Sequence, residues 1–217
     1  MNLSQKDIFL ESEGDKWFDR NMLRLSGDRR EIQVFHQFVK PGHSVLEIGC
    51  AGGATSVFFC SLGAEYSGIE PSAKAINSAR KNFPGSEFHV GTADVLPFGD
   101  AAFDFVYFGF CLYLVDRKLL ARVVAEADRV LKSPGFLAIL DFETKFPYRS
   151  NYIHQPGVSS YKMDYSALFL AYPHYALALK NVFSHATTDK LKFVEDIQER
   201  VSTTVLYKNI DHGYHQN

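Results

Sequence analysis

The sequence predicts an α/β fold, a parallel sheet with helices on both faces. Two observations carry that expectation. Between Ser44 and Phe142, short apolar runs alternate with stretches of helical periodicity, the pattern of βαβ units. The first of those runs, Ser44 to Ile48, ends in the small residues Gly49-Cys50-Ala51-Gly52-Gly53, as a buried parallel strand does when it turns tightly into a helix.

Each element has its own reason. Residues 4 to 39 read as helical with a polar middle. Trp17, Phe18, Met22 and Leu23 can share one face, and the periodic Ile32, Phe35, Phe38 and Val39 stop at Pro41-Gly42. Helical periodicity from Ala54 to Leu62 leads to a second strand, Tyr66 to Ile69. A helix then runs from the N-cap Ser72 to Asn82. Phe88-His89-Val90 and Phe103 to Phe108 are the next strands. A helix from Arg117 to Leu131 closes at Ser133-Pro134-Gly135, before a fifth strand, Phe136 to Phe142. Residues 143 to 175, rich in Tyr, Phe, Pro and His, read as loop and short helix. Helical character is expected over Ala167 to Phe183, strands at Phe193 to Ile197 and Val201 to Tyr207, and a frayed tail from His212.

Composition narrows the class. A chain of 217 residues, 46% hydrophobic, can bury a core without disulfide or metal staples. A net charge of -2 points away from a nucleic-acid groove or an anionic membrane as the main partner. Cys50, Cys60 and Cys111 lack the spacing of a zinc site, and an odd, sparse set is unlike a disulfide framework. Charged residues come too early for a secretory signal and no apolar run is long enough to span a bilayer, so a cytoplasmic protein is expected.

Four signals follow one another in an order that suggests a cofactor. The first is Glu47-Ile48-Gly49-Cys50-Ala51-Gly52-Gly53, where small residues let a ligand approach the backbone; alone, it also fits a turn with no ligand. The second is Glu70, which closes the second strand where an acidic group can accept from both ribose hydroxyls. The third is Thr92-Ala93-Asp94-Val95, whose carboxylate can accept from an adenine amino group; an Asx-turn is the competing reading. The fourth is the strand ending Phe108-Gly109, which opens into the apolar loop Phe110-Cys111-Leu112-Tyr113-Leu114 at the edge where open α/β sheets bind ligands.

Together these residues resemble the class I S-adenosylmethionine (SAM) dependent methyltransferases, with their E-x-G-x-G-x-G turn and acidic end to strand two. The resemblance covers about residues 30 to 142, including Arg129-Val130-Leu131-Lys132-Ser133-Pro134-Gly135. The chain departs from the pattern at Ala51, where the family has its middle glycine, and at the interposed Ser133. The resemblance implies a Rossmann-like, mostly parallel sheet of about seven strands, the last antiparallel, in one domain (1–217). It implies a helical cover (1–30) and a substrate lid (143–185). It implies that Glu47, Gly49, Ala51 and Gly53 line the methionine and ribose of SAM and that Glu70 binds the ribose diol. Asp94 and Val95 would hold adenine, and Phe108 or Gly109 would present backbone to the amino-acid part. Trp17 and Arg20 would fold over the cofactor, with Arg20 on its carboxylate. A dinucleotide-binding oxidoreductase shares the first turn, but Glu47 beside it would repel a pyrophosphate.

Methyl transfer from a sulfonium is an in-line displacement, so alignment and exclusion of water matter most, and an oxygen nucleophile gains from a general base. Candidate catalytic groups are His154, His174 and Asp141, with Glu143 beside Asp141; the competing reading of each histidine is a surface or packing role. No metal-ligand spacing is seen, so a metal-independent reaction is expected. The expected acceptor is a small molecule, its nucleophile an oxygen, with a saccharide or sugar nucleotide suggested by the Tyr- and His-rich lid. Alternatives are an N-methyltransferase acting on a small amine, an inactive SAM-fold partner subunit, and the oxidoreductase.

Overall fold

The computed structural model describes residues 4–25, 30–185 and 199–213. Near the start are α1 (Gln5–Ile8), a π-helical turn Phe9–Glu13, α2 (Gly14–Leu25) and a 3-10 helix Arg30–Gln37. The alternating part holds β1 (Ser44–Ile48), α3 (Ser56–Ser61), β2 (Glu65–Glu70), α4 (Ala73–Asn82), β3 (Glu87–Val90), β4 (Phe103–Gly109), α5 (Leu120–Val130) and β5 (Leu131–Phe142). Beyond it come β6 (Tyr148–Asn151), β7 (Ser159–Lys162), α6 (Ser166–Leu170), β8 (Tyr175–Ser184), β9 (Arg200–Lys208) and α7 (Ile210–Gly213).

Seven strands make one sheet in the order β3-β2-β1-β4-β5-β9-β8, while β6 and β7 form a separate hairpin. β9 runs antiparallel between β5 and β8, and the other pairs are parallel. The expected Rossmann-like sheet with its last strand antiparallel is therefore present. Ile48 of β1 is level with Ile69 of β2 and Phe108 of β4, so Gly49, Glu70 and Gly109 gather at one edge of the sheet. The chain turns away from β1 toward β3, then returns to lay β4 on its other side. That reversal opens a crevice at the carboxyl ends of β1 and β4.

Strand alternation builds a core on each face. On one, Phe35 lies 5.1 Å from Phe105 and 5.0 Å from Tyr107 by ring centroids, all fully buried. Each such ring contributes about 2–3 kcal/mol of hydrophobic burial. On the other, Val123, Ala127 and Val130 of α5 pack with Leu46, Val106 and Leu137.

The later third departs from expectation. Helix was expected over Ala167 to Phe183, but only Ser166–Leu170 is helical and Tyr175–Ser184 is strand β8. Its Ala and Leu content favours helix locally, yet pairing with β9 from Tyr175 to Ser184 overrides that preference. Part of the expected loop at 143–175 is the β6–β7 hairpin, and α7 occupies the start of the expected tail. The strand expected at Phe193 to Ile197 lies outside the described residues. Among the described residues, no helix is long and apolar enough to cross a membrane.

Candidate cofactor and acceptor site

Two adjoining cavities sit at the carboxyl edge of the sheet, sharing Trp17, Gly49, Gly109 and Phe110 in their walls. The inner one runs from Gly49 past Glu70 to Thr92, Ala93 and Asp94, with Leu119 and Val123 behind. The outer one is roomier; aromatic and imidazole rings form one part of its wall, and Glu47 with the Cys50-Ala51-Gly52 turn another.

The backbone at the first turn is built for close approach. Gly49 has φ 81°, and a Cβ there would lie 2.7 Å from Cys111 Cβ. A Cβ on Gly109 would lie 2.5 Å from Glu47 Oε1. Glu47 is buried and accepts from the Tyr66 hydroxyl at 2.5 Å. Ala51, in place of the family's middle glycine, takes the left-handed φ of 46° and still donates its N–H to Glu70 Oε2 at 3.2 Å. Gly53 lines neither cavity; its φ is 75° and a Cβ would strike the Phe88 ring, so glycine is required there by packing.

Glu70 faces the inner cavity with Oε1 accepting from the Ser72 N–H at 3.2 Å. Burial pushes its carboxyl up to about 7, and the two backbone donors only partly offset this. A pair of ribose hydroxyls would complete its shell, which is the fit a SAM ribose requires. Asp94 is buried, with Lys6 Nζ 3.0 Å from Oδ2. Burial disfavours its charge, but bonds from Thr92 and Lys6 outweigh that and hold the carboxyl below its ordinary value. Val95 is exposed and Phe108 is packed inside against Phe169, so neither forms a wall; Ala93 and Gly109 do.

Residues Lys6, Phe9, Gly14, Trp17 and Asn21 of the first segment form one side of the cavities. Gln5 donates to the carbonyls of Leu114 (2.6 Å) and Ser159 (2.9 Å), and Asp15 accepts from Ser72 Oγ at 2.6 Å and the Lys74 N–H at 3.1 Å. Trp17 lines both cavities. Arg20 lines neither; it pairs with buried Glu13 and reaches the Tyr152 hydroxyl at 3.0 Å.

The candidate catalytic groups separate in space. His154 is exposed and lines the outer cavity. Asp141 lines neither cavity: its oxygens accept from the N–H groups of Phe142 (2.8 Å) and Tyr113 (3.2 Å), and burial pushes it up to about 7. Glu143 is taken by Arg200 at 2.6 Å. His174 precedes β8 at the opposite edge of the sheet, 3.5 Å from Asp128. The length of β8 puts it about 30 Å from the carboxyl edge, because the segment expected to be helical is an extended strand.

Sequence reasoning did not single out His185, Tyr113 or Tyr152 as site residues. His185 stacks on Phe110, centroids 5.4 Å apart and planes at 4°, and lines the outer cavity. Only the end of β8 puts it there, and β8 had been read as helix. Gln5 and Lys6 had a legible signal, the Ser4-x-x-Asp7 capping box that starts α1.

Comparison with known proteins bears on these readings. Residues 46–139 match the methyltransferase domain family. That match supports the resemblance to class I SAM-dependent methyltransferases. The chain is similar to an uncharacterized methyltransferase of Synechocystis, 31% identical over 143 residues, covering 63% of this chain and 64% of that protein. It is also similar to a fatty-acid O-methyltransferase of Mycolicibacterium smegmatis, 32% identical over 127 residues, covering 55% and 46%. The chain thus spans less than two thirds of these relatives. Its fold is like that of the Burkholderia thailandensis 1,6-didemethyltoxoflavin-N1-methyltransferase, solved with 1,6-didemethyltoxoflavin and S-adenosylhomocysteine (TM-score 0.69, 13% identity, 96% and 92% coverage). SAM is the cofactor of this methyltransferase domain, and the inner cavity has the groups to hold it.

Proposed function

We propose that this methyltransferase moves a methyl group from SAM to a hydroxyl on a small ring-shaped acceptor, a phenol or a saccharide, without a metal. The observation that carries this reading is the outer cavity, which adjoins the cofactor cavity and is walled by Trp17, Phe110, Tyr113 and Tyr152, with His154 and His185 among them. Flat rings of this kind hold a ring by stacking and by contact with its C–H faces.

SAM supplies a methyl group already activated by the sulfonium. The chain's residues align the acceptor and take its proton. Tyr113 and Tyr152 stay neutral: burial raises the first and pushes the second up to about 12, aided by the nearby Asp141 and Glu13 charges. They donate or accept hydrogen bonds without acting as bases. Of the two histidines in that wall, His154 is the proposed base, taking the proton as the acceptor oxygen attacks. Glu70 holds the ribose and Asp94 the adenine. The fatty-acid O-methyltransferase among the relatives is named for an oxygen acceptor, in keeping with this reading.

A ring nitrogen is the second reading. A neutral nitrogen needs no base, and the Burkholderia enzyme of like fold is named for one.

Calorimetric titration with S-adenosylhomocysteine, wild type beside Glu70→Ala, establishes the cofactor site. A screen of phenol, saccharide and amine acceptors with methyl-labelled SAM then tests the reaction. Label on hydroxyl acceptors, lost in His154→Ala, supports the proposal; label on amines alone replaces it with the second reading.

A further inference from the structure

Tyr152 and His154 stand in the wall of the outer cavity, on the stretch between β6 and β7. His154 is exposed, so its imidazole needs outside support if it is to take a proton at a fixed place. The contacts that supply it lead back through Tyr152 to the first segment. The Tyr152 and His154 rings meet nearly edge to face, centroids 5.2 Å apart and planes at 72°. Phe9 flanks the Tyr152 ring, its own centroid 6.2 Å away. At the tip of that ring the hydroxyl accepts from Arg20 Nη2 at 3.0 Å, across 132 positions of chain. The same nitrogen donates to Glu13 Oε1, and Glu13 is fully buried. Glu13 immediately precedes α2 and Arg20 lies two turns on, so both face one side of the helix. Neither lines a cavity, so both act from behind the wall.

We propose that Arg20 is a positioning residue of the acceptor site: anchored by Glu13, it pins the Tyr152 ring, and that ring sets the His154 imidazole against the outer cavity. This rests on the proposed reading of that cavity as the acceptor site, with His154 as its base. A buried carboxylate fixes the guanidinium, the guanidinium fixes the phenol, and the phenol fixes the imidazole. Arg20 thereby serves the acceptor and not the carboxylate of SAM.

The test follows the imidazoles by NMR in protein carrying isotope-labelled histidine, with S-adenosylhomocysteine bound. The His154 signal is the one missing from His154→Gln, and Tyr152→Leu gives its position with no ring beside it. In Arg20→Met the His154 signal moves most of the way to that position. In Arg20→Lys it stays near wild type, because one nitrogen serves both bonds and an ammonium has three donors. Tyr152→Phe cuts the link but leaves the pair of Glu13 and Arg20 whole, so it gives the same movement even if Arg20→Met does not fold. His89 on β3 and His174 before β8 keep their signals, as an intact fold requires. A His154 signal unmoved in Tyr152→Phe and Arg20→Met overturns the inference. So does a loss of S-adenosylhomocysteine affinity in folded Arg20→Met, read by calorimetry, since that would make Arg20 a cofactor residue. Transfer of labelled methyl to 4-methylphenol is read separately, and kcat should fall about tenfold in Arg20→Met and Tyr152→Phe with KM little changed. If no methyl is transferred although the signal moves as expected, the oxygen-acceptor reading fails and the positioning stands. If transfer depends on His154 while signal and kcat are unchanged in both variants, the positioning alone fails.

Discussion

Lys6 and Asp94 meet across the inner cavity, Nζ to Oδ2 at 3.0 Å, joining the covering segment to the loop after β3. In the proposed reading the same carboxylate also accepts from an adenine amino group. Asp94→Ala removes both contacts and should weaken S-adenosylhomocysteine binding about 10- to 100-fold. Lys6 is 30% exposed, so solvent screens the pair, and Lys6→Met should weaken binding only about two- to fivefold. Calorimetry on the two variants separates the roles; equal losses would contradict them.

Glu70 predicts a pH dependence. Ribose hydroxyls donate to the ionised carboxylate, so affinity for S-adenosylhomocysteine should rise as pH rises through about 7, with a proton released on binding near that pH. Titrations in buffers of different ionisation enthalpy measure that proton. Stability of the cofactor-free protein moves the other way. The folded carboxyl holds its proton more tightly than the unfolded one, so this contribution is present below pH 4.5 and is lost as pH rises to about 7. The loss is at most about 3 kcal/mol. Denaturation at pH 5 and pH 8, wild type against Glu70→Gln, should show the variant gaining at the higher pH.

Ala51 sits at φ 46°, where an L side chain is strained by about 1–2 kcal/mol. Ala51→Gly relieves this but adds freedom to the unfolded chain, for a net gain of about 0.5–1 kcal/mol. Urea denaturation should show a higher midpoint, and the Glu70 bond to residue 51 should survive because it uses the backbone.

Arg117 holds the loop after β4 by donating to the carbonyls of Leu112 (2.6 Å) and Val115 (2.8 Å), with the Tyr161 ring 4.5 Å from its guanidinium carbon. Arg117→Ala should cost about 2 kcal/mol and weaken cofactor binding, since Leu114 and Val115 form part of the inner wall. Lysine should rescue little, because an ammonium cannot donate in a fork while stacking on a ring.

The gathering of the candidate cofactor residues was legible because their placement is written locally. Gly49, Glu70, Asp94 and Gly109 are each the end of a strand or the loop just past one, and parallel register brings those ends together. Arg20, Val95 and Phe108 were harder because spacing says where a residue sits along an element, not which way its side chain turns. Arg20 found Glu13, and Phe108 turned into the core. The acceptor half depended on β8, whose alanines and leucines read as helix until β9 lies beside them. His174 and His185 bracket that strand, and only its extended form shows that His185 lines the outer cavity while His174 lies at the opposite edge of the sheet.

The bonds from Gln5 have a consequence for how the chain assembles. Its amide bridges to Ser159, 154 positions away, and to Leu114, 109 away. During synthesis Gln5 emerges long before either partner exists, while β1, β2 and α4 can already pair and pack. The covering segment therefore waits, and its docking is a late event set by contacts of very high sequence separation, the kind that slow folding. Asp15 also caps α4, so until that late step the helix beside Glu70 lacks part of its N-terminal satisfaction. A newly made molecule can therefore pair β1 with β2 well before its own first turns find their place.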